Sequence, residues 1–185
     1  MIDDTLQELE NAIGKAHDAL RRELSKLRTG RANPDILAGI RVDYYGTPTP
    51  LNQMAAVNVP EPRMLTVKPW EKNQLRPIEK AILESDLGLN PQNDGEILRL
   101  PLPPLTEERR KELVKVAKKY GEDCRVAIRK ARHDAKDMLD TLEKDGDVGQ
   151  DEADRARKKV EEIVQAGNGK VDDIVTAKEK DILTV

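Results

Sequence analysis

The fold is decided by one uninterrupted stretch, residues 106–143, which reads TEERRKELVKVAKKYGEDCRVAIRKARHDAKDMLDTLE. It contains no proline, and apolar residues recur every three or four positions, which is typical of an amphipathic helix. Thr106 is suited to cap the first turn, where Glu107 and Glu108 complement the positive end of the helix dipole. The stretch predicts a helix of about 38 residues, roughly 57 Å long at 1.5 Å per residue. Its predicted apolar seam consists of Leu113, Val116, Tyr120, Cys124, Ala127, Ala131, Met138 and Leu142.

Two further stretches carry the same kind of seam, one at each end of the chain. The first is residues 2–28, whose apolar seam stops before Thr29-Gly30 and Asn33-Pro34, residues that typically end a helix. A third helix is expected after the break at residues 145–149. The seams consist of Ile2, Leu6, Leu9, Ile13, Ala16, Leu20, Leu24 and Leu27 in the first helix, and Ala153, Val160, Ile163, Val171, Ile174 and Ile182 in the third.

Three helices with one apolar stripe each predict a bundle, because none of them can bury its stripe alone. The simplest architecture is an elongated antiparallel three-helix bundle built from both chain ends, residues 1–29 and 106–185. Turn signals after the first two helices favour chain reversal over a coiled-coil dimer, so we expect a monomer. Gly167 and Gly169 interrupt the third helix and place its continuity in doubt, at about 1 kcal/mol each relative to alanine. If both are helical, alanine at both positions is expected to stabilise the bundle by roughly 1–2 kcal/mol.

Residues 31–104 differ in character and predict an inserted domain. Nine of the eleven prolines lie between residues 48 and 103, which a helical bundle could not absorb. Alternating β-branched and aromatic residues predict strands, and a spacing of leucine and isoleucine by three or four predicts one helix. The expected strands are 40–45, 54–59, 64–67 and 97–100, and the expected helix is 73–85. The segment is therefore a mixed α/β module, and the chain as a whole is expected to be an α+β protein.

Such an insertion requires the chain to cross between bundle and module twice. The crossings are expected near residues 28–31 and 101–105, and two short neighbouring crossings make a hinge. Glycine gives the first crossing freedom, whereas the proline run stiffens the second. The expected hinge residues are Gly30, Arg31, Pro103, Pro104 and Leu105.

Composition excludes several classes of protein. Of 185 residues, 36% are charged and 2% are aromatic, which argues against a thick core and for long solvated helices. The single cysteine, Cys124, rules out an internal disulfide framework. No apolar run approaches the roughly 20 residues of a membrane span, and residues 1–20 are too acidic for a signal peptide. We therefore expect a cytoplasmic protein with no membrane partner.

A row of basic side chains on the long helix is the strongest candidate for a binding surface. The net charge is only −3, but residues 106–145 hold a basic excess, with 12 basic and 10 acidic residues. At about 100° per residue, the row falls within roughly 40° of Lys118, and the predicted seam points about 140° away. This basic ridge consists of Lys111, Lys118, Arg125, Arg129, Arg132 and Lys136. It suits phosphate contacts, although a charged helix face is more often merely solvated.

Signals of catalysis, metals and cofactors are weak. His17 and His133 have no nucleophile at a recognisable spacing, and we expect both at the surface. Cys124 lies on the seam and is expected in the core. The sequence has no phosphate-binding loop, no zinc ligand set and only part of a calcium loop at residues 145–147, so no metal or cofactor is expected. Trp70 is suited to dock a partner, but a core position in the module is the favoured interpretation.

Several short motifs together resemble those of the ribosome recycling factor family. The most specific is Arg28-Thr29-Gly30-Arg31-Ala32-Asn33-Pro34, at the first crossing. Further stretches agree in order and spacing, and the resemblance spans essentially the whole chain. They are Tyr44-Tyr45-Gly46 with Thr49-Pro50-Leu51, Pro69-Trp70, Asp86-Leu87-Gly88-Leu89-Asn90-Pro91, Pro103-Pro104-Leu105-Thr106-Glu107-Glu108-Arg109-Arg110-Lys111, and the ridge around Val126-Ala127-Ile128-Arg129 and Arg132.

The resemblance implies an L-shaped molecule of transfer-RNA dimensions, with a β/α/β sandwich domain inserted in a three-helix domain. Such factors bind the large ribosomal subunit after termination. With elongation factor G and its GTP hydrolysis they separate the subunits, so that messenger and transfer RNA leave. They hydrolyse nothing themselves, so no enzyme is expected.

In this family the three-helix domain meets ribosomal RNA. Arg129 and Arg132 match its important basic positions, and Arg110 and Arg28 are secondary candidates. The other ridge residues expected to bind RNA are Arg125, Lys118 and Lys136.

Two other functions fit the residues alone. An adaptor would use the bundle as a protein-docking rod, and its binding would depend on residues at the edge of the seam instead of the ridge. An enzyme would place its site in the module, but Asp43, Tyr44, Tyr45 and Glu71 match no known catalytic spacing.

Overall fold

The computed structural model describes residues 1–184, which form two compact units. One unit combines Met1–Thr29 with the chain from Thr106 onward, and the other is Gly30–Leu105. The helices are α1 (Ile2–Ser25), α2 (Leu75–Leu83), α3 (Glu107–Lys144) and α4 (Gln150–Leu183). The strands are β1 (Arg41–Tyr44), β2 (Thr47–Pro50), β3 (Ala55–Glu61), β4 (Met64–Pro69), β5 (Gln92–Asn93) and β6 (Leu98–Pro101). Long terminal helices and a central antiparallel sheet confirm the predicted α+β class.

The helical unit is an antiparallel bundle of α1, α3 and α4, each of which packs against the other two. The helix α3 begins as its sequence predicts, with the Thr106 hydroxyl accepting a hydrogen bond of 3.2 Å from the backbone N–H of Arg109. Near the turn between α3 and α4, the guanidinium of Arg157 binds both Asp140 and Glu143. These two acids lie on α3 and Arg157 lies on α4, so the cluster ties the end of one helix to the start of the next.

The buried face of α3 differs from the predicted seam. Leu113, Cys124 and Ala131 are buried as expected, but Met138 is 46% exposed. The other buried positions on this helix are Ala117, Gly121, Ile128, Ala135 and Leu139. Because α3 packs against both α1 and α4, its buried face is centred between the two contacts, where small residues let the helices approach. The predicted seam is rotated by roughly 40–50° toward α1, where Tyr120 and Met138 line grooves between α1 and α3.

The helix α4 runs without a break through Gly167 and Gly169, and neither glycine has a positive φ. Gly169 faces open space, whereas a Cβ at Gly167 would lie 2.9 Å from Cγ2 of Ile13 on α1. Gly121 plays the same part between α3 and α4, since a Cβ there would lie 2.7 Å from Cγ2 of Val175. The two glycines of α4 therefore differ, and the geometry favours a gain from alanine at Gly169 only, instead of the combined gain expected from the sequence.

Gly169→Ala should raise the free energy of unfolding by about 0.5–1 kcal/mol, because alanine has the higher helix propensity and the site is open. Gly167→Ala should lower it by about 1–2 kcal/mol, because the stiff β-branched Ile13 must move to admit the methyl group. Urea melts of the two single variants measure both effects. Gains at both positions would contradict the close approach of α1 and α4.

His17 lies inside the bundle, so the expectation of a surface histidine is wrong there. Its side chain is 4% exposed, and its Nε2 lies 2.9 Å from the backbone carbonyl oxygen of Gly167. Gly167, which leaves room for the side chain of Ile13, thus also provides a backbone carbonyl as the hydrogen-bond partner of the buried imidazole. His133 is exposed as expected, 3.2 Å from the carboxylate of Asp137.

The second unit contains two antiparallel sheets and α2. A hairpin of β1 and β2 forms the smaller sheet, and the larger has the strand order β3-β4-β6-β5. Strand β2 was not expected from the sequence because it contains Pro48 and Pro50. Proline is tolerated there because β2 pairs with β1 only, so one edge needs no donors. An aliphatic core joins both sheets to α2 through residues such as Val42, Leu65 and Ile78.

Trp70 is 65% exposed, so the core position favoured for it is wrong. It follows β4 directly, and the alternation of that strand buries Leu65, Val67 and Pro69. Successive side chains of a strand point to opposite faces, so Trp70, which follows the buried Pro69, lies on the outer face. Aliphatic side chains fill the core of the unit instead.

The ends of the second unit lie side by side. The chain enters the unit at Gly30 and leaves it at Leu105. Gly30 has a φ of +75°, and a Cβ placed on it would lie 3.3 Å from Cγ of Leu105. A left-handed backbone and a close neighbour both favour glycine here.

Candidate nucleic-acid interface

The basic ridge borders the groove between α3 and α4. The side chains of Arg125 and Lys136 are each 32% exposed, and that of Arg132 is 41% exposed. Around the helix axis, the buried face of α3 is centred roughly 100° from Lys118, whereas the predicted seam is about 140° away. The buried face therefore lies closer to the ridge than predicted. The ridge therefore faces acidic residues of α4 across this groove.

Glu161 of α4 binds two ridge residues at once. Arg132 donates from Nε and Nη2 to Oε1 of Glu161 at 3.0 and 2.8 Å, and Nε also reaches Oε2 at 3.2 Å. The Nζ of Lys136 lies 2.5 Å from the same Oε1. The hydrogen bonds from Arg132 and from Lys136 lower the pKa of Glu161 to about 2. In turn, the carboxylate raises the pKa of Arg132, so Glu161 and Arg132 are both charged at neutral pH.

Arg125 and Arg129 are held by carboxylates as well. Arg125 binds Asp172 of α4, and its Nη1 lies 3.6 Å from Oε2 of Glu122. Arg129 donates to Oε1 of Glu122 at 3.0 Å. Glu122, which interrupts the ridge in the sequence, thus bridges two of its arginines. Lys118 is exposed and makes no ion pair within residues 1–184.

The secondary candidates Arg110 and Arg28 lie elsewhere on the helical unit. Arg110 is in the first turn of α3, roughly 33 Å along the helix axis from Arg132. Its side chain is half-buried, and its Nε is buried with no hydrogen-bond partner in the described part of the chain. Arg28 is exposed, three residues beyond the end of α1. The residues that the structure brings into one network are Arg125, Arg129, Arg132 and Lys136.

Sequence reasoning missed the acidic half of this surface. Glu161 and Asp172 follow the arginines that they bind by 29 and 47 residues, respectively. The signal that could have found them is the antiparallel pairing of the two helices. In an antiparallel pair of helices, the residue numbers of two facing positions add up to a nearly constant value. This holds for Arg132 with Glu161 and for Arg125 with Asp172.

The residues considered for an enzyme in the module meet at an exposed surface. Tyr44 and Tyr45 donate from their hydroxyls to the two carboxylate oxygens of Glu71, at 2.7 and 3.3 Å. Asp43 instead accepts a hydrogen bond from the backbone N–H of Gly46. The hydrogen bond to Glu71 raises the pKa of Tyr44, so its phenol stays protonated. A protonated phenol and an occupied carboxylate supply neither a nucleophile nor a ready base.

Neither a metal-ligand cluster nor a membrane-spanning helix occurs in residues 1–184. That part of the chain holds no cluster of three or more histidine, cysteine or acidic side chains able to hold a metal ion. None of its helices is both long and apolar enough to cross a bilayer. Cys124 is buried as expected, and burial raises the pKa of its thiol.

Comparison with known proteins decides the family. The family model for ribosome recycling factor matches residues 20–183. The chain belongs to the ribosome recycling factor family. The ribosome-recycling factor of Sorangium cellulosum is 65% identical over 185 residues, which is 100% of both chains. That of Anaeromyxobacter dehalogenans is 52% identical over 183 residues, 99% of this chain and 97% of the relative. The resemblance found in the motifs is thus confirmed.

Solved structures of ribosome recycling factors share this fold. One is a solution structure that is 36% identical, with a TM-score of 0.75, and the match covers 100% of this chain and 98% of that chain. Another consists of models for the T. thermophilus ribosome recycling factor and the E. coli elongation factor G bound to the E. coli post-termination complex. It is 44% identical, with a TM-score of 0.64 and full coverage of both chains. Membership in the ribosome recycling factor family places this chain in translation.

Proposed function

We propose that this protein recycles ribosomes in the cytoplasm after termination. It binds the large ribosomal subunit and, with elongation factor G and GTP, splits the post-termination complex, which releases messenger and transfer RNA. The observation that supports this is the full-length match to ribosome recycling factors, one of them described with elongation factor G on the post-termination complex. The protein itself is a binding factor, and the hydrolysis of GTP belongs to its partner.

The basic ridge supplies the contact with ribosomal RNA in this proposal. Arg132 is the central residue, because Glu161 occupies its Nε and Nη2 and its Nη1 remains available. Arg129, with 60% of its side chain exposed, is the second. Guanidinium groups bind phosphate bidentately, and ammonium groups add positive charge. The supporting residues are Arg125, Lys118, Lys136, Arg110 and Arg28.

Arg132→Ala should weaken binding to purified large subunits by about 1–3 kcal/mol, because a charged hydrogen bond to phosphate is lost. Arg129→Ala should cost somewhat less. Affinity of the unaltered protein should fall steeply with salt, since phosphate contacts release counterions. Sedimentation with large subunits across a salt series measures both effects.

Arg155→Ala is the matched control, because Arg155 is an exposed arginine of α4 that lies off the ridge. It removes the same charge and should leave the affinity within about twofold of the unaltered protein. If Arg132→Ala and Arg129→Ala both behaved like this control at every salt concentration, the ridge would be only a solvated face.

The module contributes motion in this proposal. It is joined to the helical unit by two connections, at Gly30 and at Leu105, whose ends are adjacent. Gly30, Arg31, Pro103, Pro104 and Leu105 form the hinge about which the module swings when elongation factor G acts on it.

A further inference from the structure

The four cations of the network are already paired with acids before any RNA is bound. The cations are Arg125, Arg129, Arg132 and Lys136, and the carboxylates are Glu122, Glu161 and Asp172. One net positive charge remains over this part of the ridge. Such a surface attracts a distant polyanion weakly, even though four cationic side chains line it.

The pairing with Glu161 leaves part of Arg132 available. The carboxylate occupies the Nε–H and one N–H of Nη2. The guanidinium has five N–H donors in a planar fork, so the edge formed by Nη1 and the second N–H of Nη2 faces away from the carboxylate. That edge can bind a phosphate bidentately without displacing Glu161. Because the long side chain is already held in one orientation, less entropy is lost when the phosphate binds.

We propose that Glu161 and Asp172 determine the specificity of the ridge, suppressing its binding to unrelated RNA while they orient Arg132 and Arg125 for ribosomal RNA. This inference rests on the proposed function. RNA that does not match the ridge in shape is attracted mainly by net charge, which the two carboxylates lower. Matched RNA also gains contacts of fixed geometry, for which an oriented guanidinium is an advantage.

Two double variants of the full-length protein with the same change in charge test this role. Glu161→Gln with Asp172→Asn removes the carboxylates that face the ridge from α4. Glu162→Gln with Asp173→Asn is the matched control, because these neighbours are exposed and form no ion pair within residues 1–184. The probes are a short RNA duplex of arbitrary sequence and purified large ribosomal subunits. All four positions are exposed, and Glu161→Gln alone serves as a second variant in the same assays.

Relative to the control, the first double variant should bind the RNA duplex about tenfold more tightly, with a salt slope steeper by about 1–2. Its affinity for large subunits should change by less than about threefold, because the gain in charge and the loss of orientation oppose each other. Glu161→Gln alone should show a smaller shift in the same direction.

Equal duplex affinity in the two double variants overturns the proposal, as does an equal gain on duplex and subunits. Arg132→Ala, measured beside them, keeps the two proposals apart. If it weakens subunit binding while the double variants do not differ, only the role of the carboxylates is rejected. If it leaves subunit binding unchanged, the proposed function of the ridge is rejected as well.

Discussion

Ile128→Ala should lower the free energy of unfolding by about 2–5 kcal/mol. Ile128 is fully buried on α3, and its Cδ1 lies 3.7 Å from the position that a Cβ on Gly167 would take. Truncation leaves a cavity at the contact of α3 with α4, and a glycine has no side chain with which to refill it. Denaturant melts followed by circular dichroism measure the loss.

Val126→Ala is the control, because Val126 lies two residues away on the same helix and is 50% exposed. It should change the free energy of unfolding by less than about 0.5 kcal/mol. A cost below about 1 kcal/mol for Ile128→Ala would mean that the core side of α3 lies closer to Tyr120 and Ala127, where the sequence pattern had placed it.

The ends of the helices were predictable because their signals are local. A threonine cap fixes the start of α3, and the glycine-rich break at residues 145–149 ends it, so its length was predicted almost to the residue. The alternation of β-branched and aromatic residues predicted β1, β3, β4 and β6 in the same way. It missed β2, because whether Pro48 is tolerated depends on the absence of a second neighbouring strand, which is not a local property.

Burial was harder to predict because it depends on partners. The predicted seam of α3 omits Ala117 and Gly121, yet both belong to its buried face, and α4 approaches closely at Gly121. The sequence pattern predicts His17 at the surface of a helix, yet it is buried. Its place inside depends on a carbonyl group of α4, 150 residues away in the sequence.

The same distinction applies to the candidate site. The arginines of the ridge share one helix, so a rotation of about 100° per residue was enough to align them. Glu161 and Asp172 lie on another helix and become visible only once α3 and α4 are paired. A single helix can thus reveal the attractive half of an electrostatic surface, whereas the opposing half requires the tertiary structure.

Gly30→Pro should slow subunit splitting with elongation factor G and GTP by roughly tenfold to a hundredfold, or about 1.4–2.7 kcal/mol in activation free energy. Gly30 has a φ of +75°, whereas proline holds φ near −65°, so the connection must reorganise beside Leu105. Affinity for large subunits should hardly change, because the ridge lies on α3 in the other unit. Light scattering follows the splitting of ribosomes, and sedimentation follows binding.

Gly88→Pro is the matched control for the hinge. Gly88 lies in the same unit with a φ of +66° and nothing within 4 Å of its Cβ position, so proline imposes a similar strain away from both connections. Splitting should slow far more with Gly30→Pro than with Gly88→Pro if the hinge transmits the action of the GTPase. Equal losses would trace the defect to a destabilised module. A normal rate with Gly30→Pro would mean that the helical unit separates the subunits without a swinging module, and the two connections would then serve only to join the units.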